Sequence, residues 1–134
     1  YLPADLLFHW GRVLIWNRQF KEAAQSLNAS VRLDADHAEA QYLLAIAQAQ
    51  LGMIQEPRRA LAAAKRLDPE IDRSVVLHDR LGMNYSQIGS FSEALAEAAV
   101  ALKLAEAARQ TLLVEAIRRR MASYQQHQPW QDPE

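Results

Sequence analysis

The residues able to do chemistry in this chain are four histidines, an adjacent His78-Asp79 pair and the run Arg118-Arg119-Arg120. Two imidazoles converge on one metal ion when they lie one helical turn apart, and His9, His37, His78 and His127 offer no pair at that spacing. The chain has no cysteine, which excludes thiolate zinc sites, disulfides and covalent haem attachment. No metal and no cofactor are expected. His9 and His78 fall near the inner ends of helices, where packing or hydrogen bonding is their expected role. His78 and Asp79 have the types of an acid–base pair, but adjacent helical residues diverge by about 100° and do not face each other. Three consecutive arginines fan out in the same way, so 118–120 is expected to be a solvated cap rather than a phosphate site. No serine has the glycine context of a nucleophile elbow, and the four glycines form no phosphate-cradling loop. An enzyme is not expected.

Composition narrows the partners. A formal charge of −1 lacks the cationic footprint that nucleic acid or an anionic membrane surface would require. No apolar run approaches the roughly 20 residues of a membrane span, so no membrane insertion is expected. A length of 134 residues, half of them apolar, suits one domain with a continuous core. The sequence opens on Tyr1 with neither an initiator methionine nor a signal peptide, as a mature product or a piece of a longer protein would.

The elements that must position any site are helical. In the stretch 75–108, Leu77, Leu81, Tyr85 and Ile88 recur at helical spacing, Gly89 and Ser90 interrupt, and Phe91, Ala94, Leu95, Ala98, Ala101 and Leu102 resume it. This is a helical hairpin. Ser90 and Glu93 have the spacing of a capping box for its second helix, and Gly89 can make the turn without steric cost. Gly82, Ala94, Ala98 and Ala101 would let the two helices approach closely. A lone hairpin cannot bury its apolar face, and the chain supplies copies. Leu81 lies 37 positions after Leu44, which lies 34 after Trp10; Phe91, Ile54 and Phe20 keep the same steps, as do Leu104, Leu67 and Leu33. The units are 4–37, 38–71 and 75–108, with a polar insertion at Asp72, Arg73 and Ser74.

Helices are expected to about Trp16, from Phe20 to Leu33, from about Ala38 to Gly52, and from about Gln55, since Pro57 is acceptable only in a first turn. Asn17 is the expected left-handed residue between the first two, and Asp36 with Glu39 the expected capping box of the third. A seventh helix over 109–124 would cap the array, with Leu112, Leu113, Ala116, Ile117 and Met121 inward and Glu115, Arg118, Arg119 and Gln125 outward. Residues 125–134 are expected to form a flexible tail in which Trp130 is the one side chain to find a docking site. The first helix is apolar around its whole circumference, through Leu6, Leu7, Phe8, Trp10, Val13, Leu14, Ile15 and Trp16. It calls for neighbours on all sides, and its outer side is expected to be covered by an upstream repeat, by a second copy of the chain or by the tail with Trp130.

The period, with Trp10-Gly11, Leu14, Phe20, Ala23 and Leu27 in the first unit and Leu81-Gly82, Tyr85, Gly89, Phe91, Ala94 and Ala101 in the third, resembles the tetratricopeptide repeat. The second unit keeps Leu44, Ala45, Gly52 and Leu67-Asp68-Pro69 but has Pro57 where a small alanine is usual. The resemblance implies an all-α, right-handed helical-hairpin solenoid of three repeats plus a capping helix, about seven helices in all. It also implies a non-catalytic protein interaction scaffold that holds a peptide or helix in a concave groove lined by the first helix of each repeat. The groove positions carried over are Asp5, Phe8, Arg12, Ile15 and Trp16, then Glu39, Tyr42, Leu43, Ile46, Ala49 and Gln50, then Val76, Asp79, Arg80, Met83, Ser86 and Gln87; the expected peptide contacts are these without Asp5, Glu39, Ala49, Val76 and Ser86. Where some relatives grip a C-terminal carboxylate, this chain has Phe8, Arg12, Leu43, Val76 and Arg80; only Arg80 suits that task, so a carboxylate clamp is not expected. The implied partner is a protein or peptide with apolar side chains near an acidic group. The alternative is a structural spacer or self-association domain of a larger protein.

Overall fold

The computed structural model describes residues 2–131, which hold seven helices and no strand. In chain order these are α1 (Ala4–Trp16), α2 (Phe20–Leu33), α3 (Ala38–Gln50), α4 (Gln55–Leu67), α5 (Val75–Gln87), α6 (Phe91–Ala107) and α7 (Thr111–Gln125). The heaviest packing is α1 on α2, α3 on α4 and α5 on α6, so the sequence period is the helical hairpin. The chain forms two compact units, Tyr1–Asp72 and Arg73–Glu134, which divide within the three-residue insertion.

In the first unit α1 buries Phe8, Gly11 and Leu14. Two buried serines of α2 fasten it, Ser26 donating to the Leu7 carbonyl at 2.7 Å and Ser30 to the Ala4 carbonyl at 2.9 Å. These bonds satisfy hydroxyls that would otherwise be costly to bury. α3 packs against α2, α4 and α1, and buries Ala40, Ala45, Ala47 and Ala49 along with Tyr42 and Leu44. Small side chains let the neighbouring helices close on it. Pro57 lies buried in the first turn of α4, where its missing amide hydrogen costs nothing. In the second unit Leu77, Leu81 and Tyr85 of α5 are buried, as are Ala94, Ala98 and Ala101 of α6. Gly89 makes the turn between these helices with φ +79°.

Several local expectations are corrected. The left-handed residue after α1 is Arg18, at φ 59°, and not Asn17, at φ −86°; the Arg18 guanidinium lies 5.5 Å from the Phe20 ring centroid. The cap of α3 is His37, whose Nδ1 accepts the Ala40 N–H at 3.1 Å, while the Asp36 N–H is taken by the Asp34 carboxylate. Ser90 stands at the N-cap of α6 without a side-chain bond, because its ψ of 70° is not the extended value that aims a hydroxyl into the first turn. Ser74, at ψ 111°, does cap, accepting the Leu77 N–H at 3.1 Å. The insertion therefore starts α5 as well as lengthening a loop. Arg109 adopts φ 57°, which delays α7 to Thr111, and Leu112, expected inward, is 83% exposed.

Candidate functional site

In the first unit the carried-over positions lie on α1 and α3. Phe8 is buried, its ring 4.4 Å from that of His37 and 5.0 Å from that of His9. The Arg12 guanidinium lies 5.5 Å from the Phe8 ring centroid and 5.9 Å from that of Trp16, within the range of cation–π attraction, and it donates to His9 Nδ1 at 3.3 Å. Trp16 is 75% exposed, so its indole lies beside a cation and largely open to solvent. Ile15 is partly buried, packed with Ala24 on the cluster of Leu14, Ala23 and Ala47. On α3, Tyr42 is buried and its hydroxyl donates to Asp72 at 3.2 Å, whereas Leu43, Ile46 and Gln50 are partly exposed. Tyr42 and Leu43 share a cleft of about 620 Å³ with His37, Glu39 and Ile71, rimmed by Asp34, Asp36 and Asp68.

In the second unit the carried-over positions on α5 meet residues of their own unit. Asp79 takes a bidentate ion pair from Arg120 of α7, with Nε at 2.8 Å and Nη2 at 2.6 Å, both side chains close to nine-tenths buried. Arg120 is thus corrected from a solvated cap to a buried partner; Arg118 and Arg119 are exposed, and Arg118 reaches Glu106 at 3.4 Å. The helical phase carried the signal, because Arg120 lies three residues after buried Ile117 and four before buried Tyr124. His78, next to Asp79, turns the other way and meets Glu97 of α6 at 2.7 Å, as the divergence of adjacent helical residues requires. Arg80 Nη1 donates to the Met83 sulfur at 3.3 Å.

Trp130 closes over this face. Its N–H donates to Ser86 Oγ at 3.2 Å, its carbonyl accepts from the Gln87 carboxamide, and its ring lies 5.3 Å from the Arg120 guanidinium. The tail reaches there from a left-handed turn at His127, whose ring stacks on Phe91 at 5.3 Å and 7°. Among the described residues no group of three or more histidines, cysteines and carboxylates is arranged to hold a metal ion, and no helix is long and apolar enough to cross a membrane.

No family model matches the chain, and no curated protein matches it in sequence. Solved structures match in fold. The TPR domain of Arabidopsis OM64 is 18% identical with a TM-score of 0.65, covering 90% of this chain and 95% of that one. PcrH, solved in complex with the chaperone binding region of PopD, is 16% identical with a TM-score of 0.68, covering 90% of each chain. The Sgt2 TPR domain from Aspergillus fumigatus is 13% identical with a TM-score of 0.59, covering 98% of this chain and 87% of that one. Sequence period, hairpin packing and these likenesses agree, and the chain has the tetratricopeptide-repeat fold, an all-α solenoid of helical hairpins.

Proposed function

We propose that this chain is a non-catalytic protein interaction module that holds a peptide or helix segment on the exposed faces of its first helices. The observation that carries the reading is the Arg12–Trp16 pair on α1, an open indole held beside a guanidinium. Tryptophan and arginine are the types that most often dominate binding energy at an interface. PcrH, of the same fold, was solved with a segment of PopD, a precedent for peptide capture on this scaffold. The polar pairs of the second unit are engaged in structure, His78 with Glu97 and Asp79 with Arg120, which favours a scaffold over a catalyst. The ligand suited to the first unit has two or more apolar side chains near an acidic group. That group belongs at Arg12, because the cleft beside Tyr42 is rimmed by carboxylates that would repel it.

The test is an array of immobilised dodecamer peptides probed with the whole chain. Trp16→Ala is expected to weaken captured peptides by about 2 kcal/mol, while Arg12→Ala should slow association and flatten its salt dependence. Tyr42→Ala is less informative because it also hollows a buried site. Unchanged affinity in Trp16→Ala, Arg12→Ala and Arg80→Ala would remove the first-helix faces from consideration.

A second reading, a self-association domain, is favoured by Leu6, Trp10 and Val13 along one side of α1 and by Leu2 just before it, which remain 51%, 56%, 38% and 53% exposed. Contiguous apolar surface of this kind is an association site or a liability. Trp10→Glu is expected to abolish any concentration-dependent mass seen by sedimentation. A wild-type chain that stays monomeric with a solvent-exposed Trp10 emission spectrum rules this reading out.

A further inference from the structure

We infer that Ser86, Gln87 and Arg120 form a binding site for one aromatic residue of an extended segment, that Trp130 fills it as an internal ligand, and that a partner segment binds there by displacing Trp130. The inference deepens the peptide-binding reading above and rests on it.

The site matches one residue's main chain. Ser86 Oγ donates its hydrogen to the Met83 carbonyl at 2.7 Å, so towards the tail the hydroxyl can only accept, and it takes the Trp130 N–H. The next residue, Gln87, supplies the opposite group, a carboxamide N–H for the Trp130 carbonyl. An acceptor and a donor on consecutive residues of α5 therefore grip the N–H and C=O of a single residue, whatever its side chain. Selection falls to Arg120. Its guanidinium is held by both Asp79 oxygens, and a planar cation fixed in this way is a platform for an aromatic face. Asp79 is thus a positioning residue, and Arg120 the one that reads the ring.

The tail has the properties of a displaceable occupant. Pro129 fixes its own φ and biases Gln128 towards extended backbone, so little freedom is lost on docking. Residues 126–129 are exposed and lie beyond the end of α7, so lifting the tail unwinds no helix. Segments held by a few peripheral contacts open at far lower cost than the fold around them. Because the occupant is tethered a few residues from α7, its effective concentration is in the millimolar range, and an incoming segment competes against that.

The test uses the whole chain and a fluorescein-labelled peptide of residues 126–131. Trp130→Ala is expected to bind this peptide at least about tenfold more tightly than the wild type, since the tethered competitor is gone. Trp130→Phe keeps an aromatic face and should retain the weak wild-type affinity. Adding Gln87→Ala to Trp130→Ala should reverse most of the gain, and a peptide with alanine in place of the tryptophan should not bind. Circular dichroism should give all variants the wild-type helix content. Equal peptide affinity in wild type and Trp130→Ala overturns the proposal, as does a wild-type dimer that Trp130→Ala dissolves, which would seat the tail on a second copy. Capture of dodecamers from the array by wild type and Trp130→Ala alike would overturn the internal ligand alone. No capture by either would remove the peptide-binding reading as well.

Discussion

Replacing Asp79 with alanine is expected to destabilise the second unit by about 3–5 kcal/mol. The pair it forms with Arg120 is bidentate and close to nine-tenths buried, so deleting the carboxylate leaves a guanidinium with its charge uncompensated among α5, α7 and the Trp130 ring. The cost comes from stranding a charge rather than from the strength of the pair. Replacing both residues, as Asp79→Leu with Arg120→Met, is therefore expected to recover most of the loss, since a buried pair can be exchanged for apolar groups of similar volume at little cost. The measurement is a double-mutant cycle by urea unfolding, with the coupling energy read directly. Salt should change it little, because buried charges are poorly screened. A single-mutant cost below about 1 kcal/mol would indicate a pair with the worth of a surface salt bridge.

The second large effect is expected at the close approach of α1 and α2. A Cβ on Gly11 would fall 2.5 Å from Leu27 Cγ and 2.8 Å from one of its methyl carbons, and Leu27 is fully buried. Gly11→Ala therefore forces a shift of a side chain with nowhere to go, and a loss of about 1–3 kcal/mol is expected. Gly11→Leu should be worse. Leu27→Ala alone should cost about 2–5 kcal/mol through the cavity it leaves, yet the double variant Gly11→Ala/Leu27→Ala should cost clearly less than the sum. Additivity in thermal or urea unfolding would mean that the two residues do not compete for one space. Gly82 is the corresponding position in the third repeat, where the nearest obstacle to a Cβ is the Ala94 carbonyl oxygen at 3.2 Å. Backbone cannot rotate away, so Gly82→Leu is expected to destabilise by about 1–3 kcal/mol as well.

The sequence by itself determined the elements and their order. Helical periodicity located α2, and Pro57 marked the start of α4, because those signals are local and depend only on residue type and on which side chains recur every three or four positions. The 34-residue period determined the hairpin as the packing unit, since a helix pair with one apolar face must stack on its like. Divergence of neighbouring helical side chains correctly separated His78 from Asp79. Tertiary structure alone decided the rest. Whether Ser90 or His37 caps a helix depends on a ψ value set by the incoming chain, not on residue type. Leu112 and Arg120 exchanged their expected environments because the rotation of α7 about its axis is set by its packing on α6 and by Asp79, which lies 41 residues away in sequence. The seat of Trp130 was beyond any local pattern for the same reason. It is built from a serine and a glutamine on α5 and an arginine on α7, residues made neighbours only by the closure of the second unit, and hydrogen-bond geometry at that range leaves no periodic trace in a sequence.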